Sequence, residues 1–295
     1  MVEFLLTQKQ AVVAVAHRPA IFLSALESQI EIEYGDLLDE KFIADTLARH
    51  NPDIVFHLAA QSLPQTAWQE PALTFRVNLI GSLKLFDIAL RQTRPPLIIV
   101  ASSSSIYVPS RKSSLLNEEA PLRPDSIYAA SKLAMEQLAG LYGGTKGLKI
   151  ICVRPFFIIG PRKEGDVSSD FARGIVGIER GEAIEMRVGN LTNIRDFLDV
   201  RDGVSALWQI ALQGKTSAIY NICSGKGCST GDLLALFKKN ARLAVREIID
   251  PDRMRPIDDQ IKIGDPAKLM ALGWEPRVDL ETSVKAILDY WRGID

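Results

Sequence analysis

Five short runs of β-branched and other apolar residues punctuate the first half of the chain: Ala11–Ala16, Ile30–Tyr34, Ile54–Leu58, Leu97–Ala101 and Leu148–Val153. Longer amphipathic stretches near Lys41–Arg49, Ala72–Arg91 and Ile127–Tyr142 lie between them. A strand that is apolar at nearly every position is buried on both faces, which implies a parallel sheet with helices on each side. Repetition of the β–α unit then predicts an α/β fold built on a doubly wound parallel sheet. After "RPFFIIGPR" (154–162) the rhythm changes. Arginine-rich loops, a short strand at Ala218–Ile222 and helices near 201–212, 231–240 and 280–291 predict a smaller lobe.

Composition bounds the possibilities. At 295 residues the chain exceeds the usual single core, so a large domain and a smaller lobe are expected. With 47% hydrophobic residues, 24% charged residues and a net charge of -1, it is neither a disordered tail nor an evident nucleic-acid binder. Its three cysteines (Cys152, Cys223, Cys228) are an odd number without paired metal spacing and read as buried thiols in a reducing compartment. No apolar run approaches a membrane span, and Glu3 stands where a signal peptide would be basic. The expectation is a soluble cytoplasmic protein with no metal, membrane or nucleic-acid partner.

In open α/β sheets ligands sit at the carboxyl ends of the strands. Those ends read "GDLLD", "HLAAQS", "ASSSSIY" and "VRPFFIIGPR", mostly small residues that let a ligand approach the backbone. Packing of strand ends against helices explains any one of them equally well. "SIYAASK" places Tyr128 and Lys132 four apart at a helix start, hence on one face. A cation there can lower the phenol's pKa from about 10 toward neutrality, so that it exchanges a proton with a carbonyl or alcohol. Ser103, ending the preceding strand, is suited to hold the substrate oxygen. A second pair at the same spacing, Tyr142 and Lys146 in "YGGTK", need not share a face, because two glycines are expected to break the helix, and no strand-end serine precedes it; it reads as a chance match.

With "PDIVFHLAAQS", "VNLIGSLKLFDIA", "SSSSIYV", "YAASK", "RDFLDVRD", "YNICSG" and "GDPAKLMALGWEP" added, the chain resembles an extended short-chain dehydrogenase/reductase of the NAD(P)-dependent nucleotide-sugar epimerase/dehydratase group. The resemblance implies a Rossmann domain over 1–160 to which 193–222 returns, and a nucleotide-sugar lobe over 161–192 and 223–295. It implies a catalytic triad of Ser103, Tyr128 and Lys132, with Lys132 also on the nicotinamide ribose. Asp36 and Leu37 would flank the adenine, and Ala59 and Ala60 would line the cofactor. It further implies a homodimer through the helices near 78–91 and 127–142.

In the 4,6-dehydratases of the group, acids follow the catalytic hydroxyl; here Ser104 and Ser105 stand there. A hydroxyl of ordinary pKa cannot replace a carboxylate base, which disfavours elimination of water. "RVGNLTNIRDFLDVRD" and "DPDRMRPIDDQIKIGDPAKLMALGW" are similar to the branch handling GDP-mannose derivatives. By that resemblance Arg195 and Arg255 clamp a diphosphate and Asp258 accepts from the nucleotide ribose, although a surface ion pair explains either arginine nearly as well. Phe157 replaces an asparagine that touches the sugar in the dehydratases. The expected activity is reduction of the 4-keto group of a GDP-4-keto-6-deoxy-hexose. The alternatives are a 4-epimerase or 4,6-dehydratase, and a non-catalytic nucleotide-sugar-binding remnant.

Members of the group begin with a strand, a glycine-rich turn and a helix that holds the cofactor pyrophosphate. "MVEFLL" is similar to the middle of that helix, so the resemblance places the strand and turn ahead of Met1. A late-assigned start, a fragmentary gene or a degenerate protein would each account for this. "CSGKGCSTGD" (223–232) follows a strand and precedes a helix, but its glycine spacing is one residue too long, and it reads as an ordinary connection. The second strand ends Ala16, His17, Arg18 without the acid of NAD-selective folds, so Arg18 favours a 2′-phosphate. NADP(H) is the expected cofactor, with NAD(H) open.

Overall fold

Each of the five apolar runs contains a strand. The computed structural model describes residues 1–19, 21–108, 114–254 and 261–294. In chain order the first elements are α1 (Val2–Thr7), β1 (Val13–Ala16), α2 (Ile21–Ser24), β2 (Glu31–Tyr34), α3 (Glu40–His50) and β3 (Ile54–His57). Next come α4 (Pro64–Gln69), α5 (Pro71–Phe75), a π turn (Arg76–Gly81), α6 (Ser82–Leu90), β4 (Leu97–Ala101), a 3₁₀ turn (Ser104–Ile106), α7 (Ile127–Lys146) and β5 (Ile150–Pro155). The chain continues through β6 (Phe157–Ile159), α8 (Val167–Glu179), β7 (Met186–Val188), β8 (Ile194–Arg195), β9 (Phe197–Asp199) and α9 (Val200–Gln213). It closes with β10 (Ile219–Ile222), β11 (Cys228–Ser229), α10 (Thr230–Lys239), β12 (Glu247–Ile249), β13 (Ile261–Lys262), α11 (Ala267–Met270) and α12 (Leu280–Arg292).

These elements form two units. The first comprises Met1–Ile106, Leu122–Arg154 and Leu207–Tyr220, and the second comprises Tyr107–Pro121, Pro155–Ala206 and Asn221–Asp295. The main sheet of the first unit runs β10-β5-β4-β3, with β3, β4 and β5 parallel. Ile98, Ile99 and Val100 on β4 and Ile150, Ile151 and Val153 on β5 are buried, as a sheet covered on both faces requires. Helices α3, α6 and α7 cover the face that carries Ile98, Val100, Ile150 and Cys152 through Ile43, Leu47, Leu85, Phe86, Met135 and Ala139. Full burial of each larger side chain contributes about 1.5–3 kcal/mol.

Three expectations are corrected here. The β1–β2 pair is parallel but not buried on both faces; Val15 is 58% exposed. β2 reads Glu31, Ile32, Glu33, Tyr34, an alternation that suits one covered face, and Glu33 is held there by Arg49 and His50 of α3. Among the described residues no ladder joins this pair to the β10-β5-β4-β3 sheet. Second, the single helix expected over Ala72–Arg91 is α5 and α6 joined by the π turn, with Asn78 turned inward at its centre. A side chain at Gly81, which ends that turn, would meet Leu37 at 2.8 Å.

Third, Gly143 and Gly144 do not break α7, which runs on to a left-handed cap at Gly147 (φ 73). Each interior glycine costs about 1 kcal/mol relative to alanine. Burial of Tyr142 offsets this, and a Cβ at Gly143 would lie 2.7 Å from Ser217 Oγ. Tyr142 and Lys146 therefore do share a face: Lys146 Nζ lies 4.1 Å from the ring centre, and Tyr142 donates to Asp87 at 2.6 Å.

In the second unit α8, α10 and α12 pack together through Phe171, Ile175, Leu233, Phe237, Val284 and Ile287. Strand β6 pairs with β9, and β8 lies between β11 and β13. Each of the three helices starts on a side-chain cap, Asp166, Ser229 or Asp279, which satisfies otherwise orphaned amides. Among the described residues no helix is long and apolar enough to cross a membrane.

Candidate active site

The carboxyl end of β4 and the first turns of α7 bring Ser103, Tyr128 and Lys132 together. Helix α7 begins at Ser126, whose extended backbone (φ -142, ψ 158) and side chain, accepting from Ala129 N–H, form an N-cap. Tyr128 and Lys132 then lie one turn apart, with Lys132 Nζ 6.0 Å from the Tyr128 ring centre. The Tyr128 side chain is hydrogen-bonded to Ser103. Ser103 Oγ accepts from Ser105 N–H at 3.1 Å and Ser105 Oγ at 2.9 Å, so its own hydrogen is the one turned to the Tyr128 oxygen. Lys132 is buried and donates to the Ala101 carbonyl at 2.7 Å.

The electrostatics differ from the sequence expectation. Burial raises the Tyr128 phenol above its ordinary value, and the Ser103 hydrogen bond only partly opposes this. Lys132 turns one of its three N–H groups to the Ala101 carbonyl, and its Nζ stands 6.0 Å from the centre of the Tyr128 ring. Burial brings its own pKa down to about 8. His57, ending β3, falls to about 3 through burial and then through the Lys132 charge, so it is a neutral imidazole. Its Nε2 lies 2.8 Å from Ser82 Oγ, which itself donates to Asn78 O at 2.7 Å. The hydroxyl therefore accepts from the imidazole, and the proton sits on Nε2.

Asn78 was not singled out from the sequence. Its Oδ1 accepts from Gln61 N–H, and its Nδ2 donates to Gln61 O and Ser131 Oγ. Ser131 in turn donates to the Tyr128 carbonyl, so the π turn is tied to the first turn of α7. The available signal was the polar residue inside the apolar run "VNLIG". Glu136 and Arg154, equally unremarked, form a buried two-point pair at 3.0 and 2.6 Å.

The other expected site residues are placed as follows. Asp36 is exposed and accepts from Leu38 N–H at 2.8 Å, while Leu37 is half-buried against the core of the first unit. Ala59 is exposed, Ala60 half-buried, and Arg18 exposed on the bend after β1. Two buried oxygens at adjacent strand ends, Gln61 Oε1 and Ser102 Oγ, have no hydrogen-bond partner among the described residues. With the buried Lys132 ammonium they offer acceptors and donors that fit the hydroxyls and amide of a nicotinamide nucleotide. In the second unit Arg195 is buried, donates to Ile194 O, and lies 5.2 Å over the Phe157 ring. Phe157 packs on Phe197 at 6.0 Å, so its ring belongs to the core of that unit. Arg255 and Asp258 lie outside the described residues.

The 223–232 loop carries no free phosphate cradle. Ser224 and Gly225 donate their N–H groups to the buried Asp196 carboxylate, as does Gly264, and Ser229 caps α10. Residues 1–287 match the family described as GDP-mannose 4,6 dehydratase. The chain belongs to the GDP-mannose 4,6-dehydratase family. It is 34% identical over 286 residues to a GDP-6-deoxy-D-mannose reductase of Pseudomonas aeruginosa, covering 96% of this chain and 92% of that one. A GDP-mannose 4,6-dehydratase of Vibrio cholerae is 26% identical over 88% of this chain and 78% of its own length. Among solved structures, RMD from Pseudomonas aeruginosa complexed with NADPH superposes with a TM-score of 0.86 at 30% identity, covering 96% and 99% of the two chains. The Thermus thermophilus UDP-glucose 4-epimerase in complex with NAD gives 0.89 at 27% identity over 99% and 94%. The family's Rossmann-type α/β fold, that of the extended short-chain dehydrogenases/reductases, is thereby shared, and the chain is an oxidoreductase-type enzyme of nucleotide-sugar chemistry.

Proposed function

We propose that the chain reduces the 4-keto group of a GDP-4-keto-6-deoxy-hexose, with NADPH as the reductant. One observation carries the choice among the family's reactions. Where a dehydratase needs a carboxylate, this chain has Ser104, buried on the 3₁₀ turn, and Ser105, whose hydroxyl is bound to Ser103. Neither can act as the base for loss of water. The raised Tyr128 pKa supports the same direction, since a phenol that keeps its proton at neutral pH is an acid ready to protonate an alkoxide.

The first unit would hold a nicotinamide cofactor, whose reduced form would supply the hydride. Ser103 would turn its hydroxyl hydrogen from Tyr128 to the ketone oxygen and fix the position of that oxygen. Tyr128 delivers its proton as charge develops on that oxygen. The Lys132 ammonium would hold the nicotinamide ribose hydroxyls and stabilise the phenolate left behind. Gln61 Oε1 and Ser102 Oγ accept from the cofactor, and Leu37, Ala59 and Ala60 wall it, with Asp36 at the adenine side. Arg18 beside His17 favours the 2′-phosphate, and a relative solved with NADPH supports that preference. In the second unit Arg195 grips the diphosphate; Arg255 and Asp258 complete this assignment from the sequence. Exposed Ile80 and Leu141 support a homodimer through the π turn and α7.

The test follows nicotinamide absorbance while the chain is mixed with NADPH and GDP-4-keto-6-deoxymannose. NADPH consumption matched by GDP-6-deoxyhexose is expected, as is a loss of about 10²–10⁴-fold in Tyr128→Phe with GDP-sugar binding unchanged. Conversion of GDP-mannose to a keto sugar instead would replace the reading with a dehydratase. Calorimetric binding of GDP without NADPH would leave a nucleotide-sugar-binding protein.

A further inference from the structure

One turn of α7 after the buried Lys132 stands a buried glutamate, Glu136, and the two do not pair. Lys132 and Glu136 are spaced four apart on α7, a separation at which side chains are neighbours, and each is 5% exposed. An unpaired buried carboxylate next to a buried ammonium would ordinarily take it. Instead both oxygens of Glu136 are held by Arg154 at the end of β5, Nε to Oε2 and Nη2 to Oε1. The guanidinium is 2% exposed, and its planar fork satisfies the carboxylate as a single ammonium could not.

We propose that Arg154 is a positioning residue for the catalytic centre: by occupying both oxygens of Glu136 it keeps that carboxylate from Lys132, and so leaves the ammonium to the Ala101 carbonyl and the cofactor. The inference rests on the role given to Lys132 above. Burial already holds Lys132 at about 8, and capture by Glu136 would reverse that by favouring the charged form. The other titratable groups around it do not substitute for Arg154. His57 is neutral, Tyr128 keeps its proton, and burial pushes the Cys152 thiol far up. Asp87 of α6 is engaged by Tyr142 and Lys146 at the far end of α7, Lys84 donates to Leu38 O, and Arg76 of the π turn is exposed.

The test reads Lys132 itself, without substrate. In the full chain with its lysines ¹³C-labelled at Cε, the Lys132 resonance, assigned by its loss in Lys132→Met, is titrated with pH. In Arg154→Met the midpoint is expected to rise by about one pH unit or more, a tenfold gain in proton affinity, and NADPH binding to weaken. In Glu136→Leu/Arg154→Met, which removes both charges, midpoint and NADPH affinity return toward those of the unaltered chain. A brace role alone predicts the reverse, a double variant as impaired as the single one. An unmoved midpoint in Arg154→Met, or a double variant that fails to recover it, overturns the inference. If Arg154→Met does not fold, Arg154→Lys takes its place: a smaller rise is expected, and no rise overturns the inference. Failure of the unaltered chain to bind NADPH would count against the proposed function, because the Lys132 midpoints are read without cofactor.

Discussion

Lys132, which the proposed mechanism gives to the cofactor, also bears on the stability of the chain. Its folded pKa is about 8 against an ordinary 10.5, so between those values the unfolded chain holds a proton that the folded chain has released. Stability therefore rises with pH across that window, and below it the buried cation costs about 3 kcal/mol. Urea titrations between those pH values should show this slope in the unaltered chain and a flatter one in Lys132→Met; equal slopes would refute the burial cost. The meeting of Ser103, Tyr128 and Lys132 was legible because a helical spacing and a strand end announce it. Glu136 and Arg154 were not, since each is an ordinary charged residue until β5 lies beside α7 and brings together partners 18 positions apart.

At the scale of elements, the strands were legible and the exceptional turns were not. An apolar run names a strand whatever its neighbours do, but the face shift of about 100° that one extra residue brings is hidden in a stretch as apolar as Ala72–Arg91. What marks the π turn is Asn78, and only its partners give that residue meaning. Replacing Asn78 by alanine orphans Gln61 N–H and weakens the hold on Ser131, at about 1–3 kcal/mol for each buried group left unpaired. Ser126→Ala, which removes one half-buried cap bond from the same helix start, should cost about 1 kcal/mol. Denaturant midpoints for the two variants are expected in that order, and equal losses would deny Asn78 its place as the junction. The glycines of α7 misled for a related reason: their local preference is outweighed by Tyr142, Asp87 and Lys146 around them.

Across the whole molecule, cohesion is uneven. Strands β4 and β5 lie inside a covered sheet, whereas β1 and β2 form a short pair with an exposed valine. Amide hydrogen exchange should find Ile98–Val100 and Ile151–Val153 opening only near the global unfolding limit, with Val13–Ala16 far faster. Uniform protection would contradict this ranking. The 223–232 loop has a different consequence. Gly225 adopts φ 75, and successive N–H groups converge there as they do in an anion-binding nest. The seat is already taken by Asp196, a tenant that cannot diffuse away. Inorganic phosphate or sulfate in the surrounding solution finds no vacancy there, and the loop is spared the ionic competition that an open glycine cradle must endure.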